Sequence, residues 1–102
     1  MELSTLVEQL KHRATEFTEL KHKVLFDIKD VGKILVDTTG NQILVEPNPK
    51  DPDPETTFKL SVETFKNMMS GDLNPMIAFT LGKIKIEGSR GIALKLSSLL
   101  DK

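Results

Sequence analysis

Pro75-Met76-Ile77-Ala78-Phe79-Thr80-Leu81 constrains this chain more than any other stretch. Asn74 is a good N-cap, Pro75 suits the first helical position, and Gly82 stops the turn, so the segment predicts a short helix. Six of its seven residues are apolar, counting Pro75. A helix that is apolar all round must be covered all round. A chain of 102 residues is one domain without room for a second core, so this helix cannot lie between several layers. One side can pack on a sheet or a neighbouring helix. The other needs a second apolar surface, a partner chain or a ligand. Met68, Met69 and Met76 lie close by, and methionine suits surfaces that adapt to different shapes. Ordinary core filling explains the same residues equally simply.

The rest of the chain supplies the sheet such a helix would cover. Leu3, Leu6, Val7, Leu10, Ala14 and Phe17 recur at three- and four-residue spacing and predict a helix from about Ser4 to Phe17. Thr5 and Glu8 have capping-box spacing, with Ser4 as an alternative cap. The opposite face, with Glu8, Gln9, Lys11, His12, Arg13 and Glu16, has mixed charge. That favours packing on the protein's own sheet over a membrane-surface helix, which usually has a Lys/Arg-rich polar face. Val24, Phe26 and Ile28 alternate with Leu25, Asp27 and Lys29, as in a half-buried strand. Ile34 and Val36 mark a second strand, and Asn41–Val45 a third. The short Gly-containing connections imply an antiparallel meander. Residues 46–55 hold four of the five prolines and predict an extended surface loop. Thr56–Leu60 is a fourth strand. Ser61 caps a helix with Val62, Phe65, Met68 and Met69 on its buried stripe, and Gly71 ends it. Lys83–Glu87 alternates as a fifth strand. Ser89 opens a last helix carrying Ile92, Ala93, Leu96, Leu99 and Leu100 on one side. The expected class is α+β: a five-stranded, mainly antiparallel sheet with helices over one face.

Composition removes several functions. The net charge is −1 with a pI near 6.1, and no basic block occurs, so the electrostatic footprint of a nucleic-acid binder is missing. Trp and Tyr are absent, and the five Phe do not alternate with Arg or Lys. There is no cysteine for disulfides or thiolate metal sites. No apolar run approaches the roughly 18 residues of a membrane span. Met1-Glu2-Leu3-Ser4 lacks the basic start of a signal peptide, and Leu100-Asp101-Lys102 matches no common address signal, so a cytoplasmic location is expected. His12 and His22 lie ten residues apart, one on a helix face and one in a turn, and read as solvated side chains. Glu63 and Glu87 each have a plain role, at a helix start and a strand end. With no Gly-rich phosphate loop, HExxH or nucleophile elbow, the chain reads as a non-enzyme with no cofactor and no metal site.

The stretch from Gly71 through Asn74-Pro75, Ala78-Phe79 and Gly82-Lys83-Ile84-Lys85-Ile86-Glu87-Gly88, continued by Gly91, Ala93, Lys95 and Leu96, resembles the signature of sterol carrier protein 2 domains. The resemblance implies that the helices and sheet enclose an apolar tunnel, and that residues 1–102 form one lipid-binding domain. Family members bind sterols, fatty acids, fatty acyl-CoA and phospholipids. By position, the tunnel wall carries over to Phe65, Met68, Met69, Leu73, Met76, Ile77, Phe79, Ile84, Ile86, Ile92 and Leu96, with Leu99 and Leu100 in the segment that would close one end. The implied function is intracellular binding and transfer of sterol-, fatty-acyl- or isoprenoid-type molecules. The alternative is an accessory or dimerisation domain, whose apolar groove takes a partner chain or presents a polyprenyl substrate to another enzyme. Beyond an elongated apolar ligand, the partners left open are a transient membrane contact and a second copy in a homodimer; nucleic acid is not among them. The chain lacks the peroxisomal address and the early-strand Trp often seen in the peroxisomal type.

Overall fold

A computed structural model describes residues 2–100; Met1, Asp101 and Lys102 of the expected domain lie outside the described residues. The elements run α1 Leu3–Arg13, a 3₁₀ turn Ala14–Phe17, β1 Lys23–Ile28, β2 Gly32–Asp37, β3 Leu44–Pro47, β4 Thr56–Leu60, α2 Val62–Met69, α3 Pro75–Thr80, β5 Ile84–Gly88 and α4 Arg90–Leu100. The sheet has the order β3-β2-β1-β4-β5. β1–β2, β2–β3 and β4–β5 are antiparallel, while β1–β4 is parallel. The expected meander is therefore present, and the sheet as a whole is mixed. The parallel pair follows from the proline-rich connection. It leaves β3 at one edge and returns to the far side of β1, where the Glu55 N–H donates to the Lys23 carbonyl at 2.9 Å. A strand arriving there after so long a return runs in the direction of β1, whereas a tight hairpin would reverse it.

Period-two alternation sends Val24, Phe26, Ile28, Ile34, Val36, Phe58, Leu60 and Ile84 into one buried layer beneath the helices. Phe26 stacks on Phe58, ring centroids 5.5 Å apart, and meets Phe65 of α2 edge-on at 5.6 Å. The outer face is not wholly polar. Leu25 and Leu35 are cross-strand partners there and both are buried, between the rungs Lys23–Asp37 and Asp27–Lys33. An apolar pair bracketed by opposite charges gains cross-strand contact without leaving a large exposed patch.

Three sequence expectations need correction. α1 starts at Leu3 with Glu2 as an extended N-cap that makes no side-chain cap hydrogen bond. Thr5 and Glu8 therefore sit inside the helix, and their box does not form. The third strand lies later than its apolar residues suggested and includes Glu46 and Pro47, which pair with Leu35 and Ile34. Proline is tolerated there because β3 is an edge strand, where one missing N–H costs no ladder bond. Arg13, read as part of a solvated face, is instead largely covered. Its guanidinium forks onto Glu16 and donates to the carbonyls of Met68 and Met69, at 3.2 and 2.9 Å, and of Leu100, at 3.1 Å. One cation thus satisfies carbonyls at the C-terminal ends of α2 and α4, where the helix dipoles favour positive charge. Glu16 raises the Arg13 pKa above its ordinary value through this hydrogen bond, and burial opposes the effect. A hydrogen bond to a charged group contributes about 1.5–3 kcal/mol net, and bonds made by one side chain in one network do not add. Arg13→Ala should accordingly destabilise by about 2–3 kcal/mol in urea denaturation. Arg13→Lys should recover only part of the loss, since an ammonium lacks the planar fork. Full recovery by Lys would show that charge alone matters at this position.

Candidate functional site

α3 forms as its sequence dictates. Asn74 Oδ1 accepts from the N–H groups of Met76 and Ile77, at 2.8 and 3.4 Å, and Pro75 occupies the first turn. At the other end Gly82 adopts φ +75°, and the Lys83 N–H closes back onto the Ala78 carbonyl at 2.8 Å. Asn74 also ties two helices together, because its Oδ1 accepts from the Ser97 hydroxyl at 2.8 Å. That bond fixes the start of α3 against the last turns of α4. At the opposite end the Arg90 guanidinium lies 5.4 Å from the centre of the Phe79 ring. The two contacts set α3 antiparallel to α4. Ala78 is fully buried on the covered side of α3.

The helix is covered on one side only. Pro75 and Ala78 are buried, Met76 and Phe79 are half-buried, and Ile77 and Leu81 are 55% and 61% exposed. Leu94 of α4, 59% exposed, lies one turn from both Arg90 and Ser97, the residues that touch α3. An apolar strip therefore faces outward along this corner of the molecule.

Ser61 Oγ accepts from the Thr64 N–H at 3.1 Å and starts α2, whose Phe65, Met68 and Met69 are buried in the core. β5 contributes buried Ile84 and half-buried Ile86. α4 contributes buried Ile92, Leu96 and Leu100 and half-buried Leu99. Phe65, Met68, Met69, Ile84, Ile92, Leu96 and Leu100 belong to one hydrophobic cluster, with Leu73, Phe79, Ile86 and Leu99 packed against it. The structure thus brings the sequence-derived wall residues together, except Met76 and Ile77, which stand outside that cluster, Met76 half-buried and Ile77 exposed. Side-chain periodicity could not have separated these two, because every face of the segment is apolar. Leu81 and Leu94 were missed as contributors to the site. Arg90 was missed too, and its only sequence signal was its place at the start of α4.

There are two surface clefts, the second of which reaches the C-terminal end of α3. One, of about 360 Å³, is lined by Gln9, His12, Arg13, Lys66, Asn67, Met69 and Ser70. The other, of about 550 Å³, is lined by Asp27, Lys29, Lys59, Leu60, Ser61, Gly82, Lys83, Ile84 and Lys85. His22 does not approach either; its Nδ1 lies 2.6 Å from Glu55 Oε2. Among the described residues no group of three or more His, Asp or Glu side chains could hold a metal ion. No described helix is long and apolar enough to cross a membrane.

Known proteins carry related sequences and the same fold. Human sterol carrier protein 2 is 37% identical over 65 residues, 64% of this chain and 12% of that protein. Peroxisomal multifunctional enzyme A of Dictyostelium discoideum is 47% identical over 48 residues, 47% of this chain and 11% of that protein. The chain thus spans only 11–12% of the length of these curated relatives. The solution structure of sterol carrier protein domain 2 of Helicoverpa armigera superposes with a TM-score of 0.72 at 29% identity, covering 95% of this chain and 80% of that one. Palmitated SCP2L2 of Aedes aegypti superposes at 0.77 with 23% identity, covering 100% and 96%, which shows a shared fold. The model of the SCP-2 sterol transfer family matches residues 3–101, nearly the whole chain, and the protein belongs to that family.

Proposed function

We propose that this domain binds and transfers lipids, holding one elongated apolar molecule between α3 and the layer formed by α2, β5 and α4. The observation that carries the reading is α3 itself, a helix apolar on every face and covered on only one. Membership in the SCP-2 sterol transfer family supports it, and the Aedes aegypti SCP2L2 that shares the fold is palmitated. The wall of the proposed tunnel runs from Phe65 through Leu100. Most of its members pack together in the core, so a ligand enters by parting α3 from them. α3 is suited to that movement. It is short, Gly82 ends it in a left-handed turn, and methionines line its approach. Leu73, Met76, Phe79, Ile86 and Leu99 are half-buried and stand where such an opening would begin.

No catalytic step is part of this reading. The polar groups near the site have structural partners, Asn74 with Ser97 and Arg90 with the Phe79 ring, and the remaining wall is hydrocarbon and thioether. Broad ligand acceptance follows, because apolar contact discriminates weakly between chains of similar width.

A fluorescent long-chain fatty-acid analogue is expected to bind with about one site per chain, and unlabelled long-chain lipids should displace it. Native mass spectrometry after gentle purification should show lipid-bearing protein. Failure to bind any of fatty acids, acyl-CoA, phospholipids, sterols and isoprenoids would overturn the proposal.

A further inference from the structure

We infer that the free edge of β5 is an interface for a second copy of this chain, joined by antiparallel strand pairing across a two-fold axis at Ile86. β5 closes the sheet on one side and pairs only with β4 among the described residues, so its outward N–H and C=O groups have no strand beside them. Such an edge is a template for another strand. The opposite edge is blunted, because β3 ends on Pro47 and α1 packs against it. The side chains of β5 select the occupant. Ile84 and Ile86 face the core layer, so Lys85 and Glu87 stand together on the outer face. Setting the strand against itself about Ile86 places Lys85 opposite Glu87 of the second copy, and Glu87 opposite its Lys85. Within one copy Lys85 is poorly matched. Its rung partner is Lys59, a like charge, and Lys59 pairs with Glu87 at 3.2 Å. Among the described residues no carboxylate lies within ion-pair distance of Lys85. A lysine on a sheet edge ordinarily repels other strands. Two residues from a glutamate, it favours a strand with the reverse order of charges, which is β5 itself run antiparallel. On the inner face Ile86, half-buried in one copy, would meet Ile86 of the other. α3 packs against β5 and leaves Ile77 and Leu81 exposed, apolar surface for a neighbour at this edge to cover. The inference does not depend on what the domain carries.

Sedimentation velocity over a concentration series tests it on the whole chain. The parent should pass from monomer to dimer as concentration rises. Lys85→Glu and Glu87→Lys should each weaken self-association about tenfold, because both charge pairs across the axis become repulsive. An equimolar mixture of the two variants should restore it, since each then meets its opposite. The double variant Lys85→Glu/Glu87→Lys should restore it too. All three variants should melt near the parent, since both positions are exposed and the Lys59–Glu87 pair lies at the surface. In hydrogen exchange, β5 amides should gain protection with concentration while those of β3 do not. A parent that stays monomeric throughout the series overturns the inference. So does a dimer that the single variants leave intact, one that their mixture fails to restore, or one whose concentration-dependent protection falls on β3. The two readings fail separately. A monomer that takes up the fatty-acid analogue loses this interface alone. A dimer that takes up none loses the carrier function alone.

Discussion

Phe26→Ala is expected to destabilise the domain by about 3–5 kcal/mol, the range for removing a buried aromatic ring from a close-packed core. Phe26 is 1% exposed and sits at the centre of the sheet, paired with Ile34 on β2 and Phe58 on β4. Phe58 is paired in turn with Ile86 on β5, so a single rung crosses most of the sheet. Truncation removes the stacking contact with Phe58 and the edge contact with Phe65, each worth about 0.5–1.5 kcal/mol beyond area burial. It also leaves a void walled by strands on one side and α2 on the other, which cannot collapse without moving both. In urea denaturation the midpoint should fall while the slope stays constant, because the surface exposed on unfolding hardly changes. A loss below about 1 kcal/mol would mean that the space under α2 is loosely filled, and it would place the apolar cavity deeper in the sheet layer than proposed.

Gly88→Ala should be the most damaging single methyl that can be added to this chain. Gly88 has φ +88°, which costs an L-residue about 1–2 kcal/mol. A Cβ there would stand 2.4 Å from the Glu55 carbonyl oxygen and 3.3 Å from Thr56 Cα, both backbone atoms. Neither can swing aside as a flexible side chain would. The Glu55 carbonyl accepts from the Ser89 N–H at 3.0 Å, and the Glu55 N–H holds the Lys23 carbonyl at the mouth of the parallel ladder. Relieving the clash therefore disturbs β5, β4 and β1 together. Overpacking adds about 1–3 kcal/mol to the dihedral cost, so a total of about 3 kcal/mol or more is expected. Gly82→Ala provides the contrast. Its φ is also positive, at +75°, but nothing lies within 4 Å of an added Cβ, so only the dihedral term of about 1–2 kcal/mol applies. Equal losses for the two variants would show that the close approach of β5 to Glu55 is not a constraint on the fold.

Most elements were legible because their signals are local. Ser61 and Asn74 cap α2 and α3 as their side chains suggest, and the Ser89 hydroxyl accepts from the Ile92 N–H at the start of α4. Strand alternation located β1, β2, β4 and β5 within a residue or two. Local reading failed where a distant partner decided. Thr5 and Glu8 have capping-box spacing, yet the helix begins earlier because Leu3 packs against the core. Pro47 looks like a strand breaker, but the sheet ends at β3 and no neighbour asks for its missing donor. Leu25 alternates with the core-facing residues and would have been assigned to solvent, but Leu35 lies opposite and the two cover each other.

The candidate site divides along the same line. The sequence alone determined that an apolar helix stands between Asn74 and Gly82, that a glycine-bounded strand follows it, and that the pattern resembles a lipid-carrier signature. These depend on residue type and spacing, which a chain carries whatever its fold. Only the tertiary structure decided which side of that helix is covered. The Asn74–Ser97 bond and the Arg90–Phe79 contact hold α3 against α4 with Ala78 buried, and Ile77 and Leu81 are left outside. The structure likewise drew Arg13 from an apparently solvated helix face to the ends of α2 and α4, 55 to 87 residues away in sequence. Periodicity shows that a face exists. What meets that face is set by contacts between residues far apart in the chain, and no local pattern encodes them.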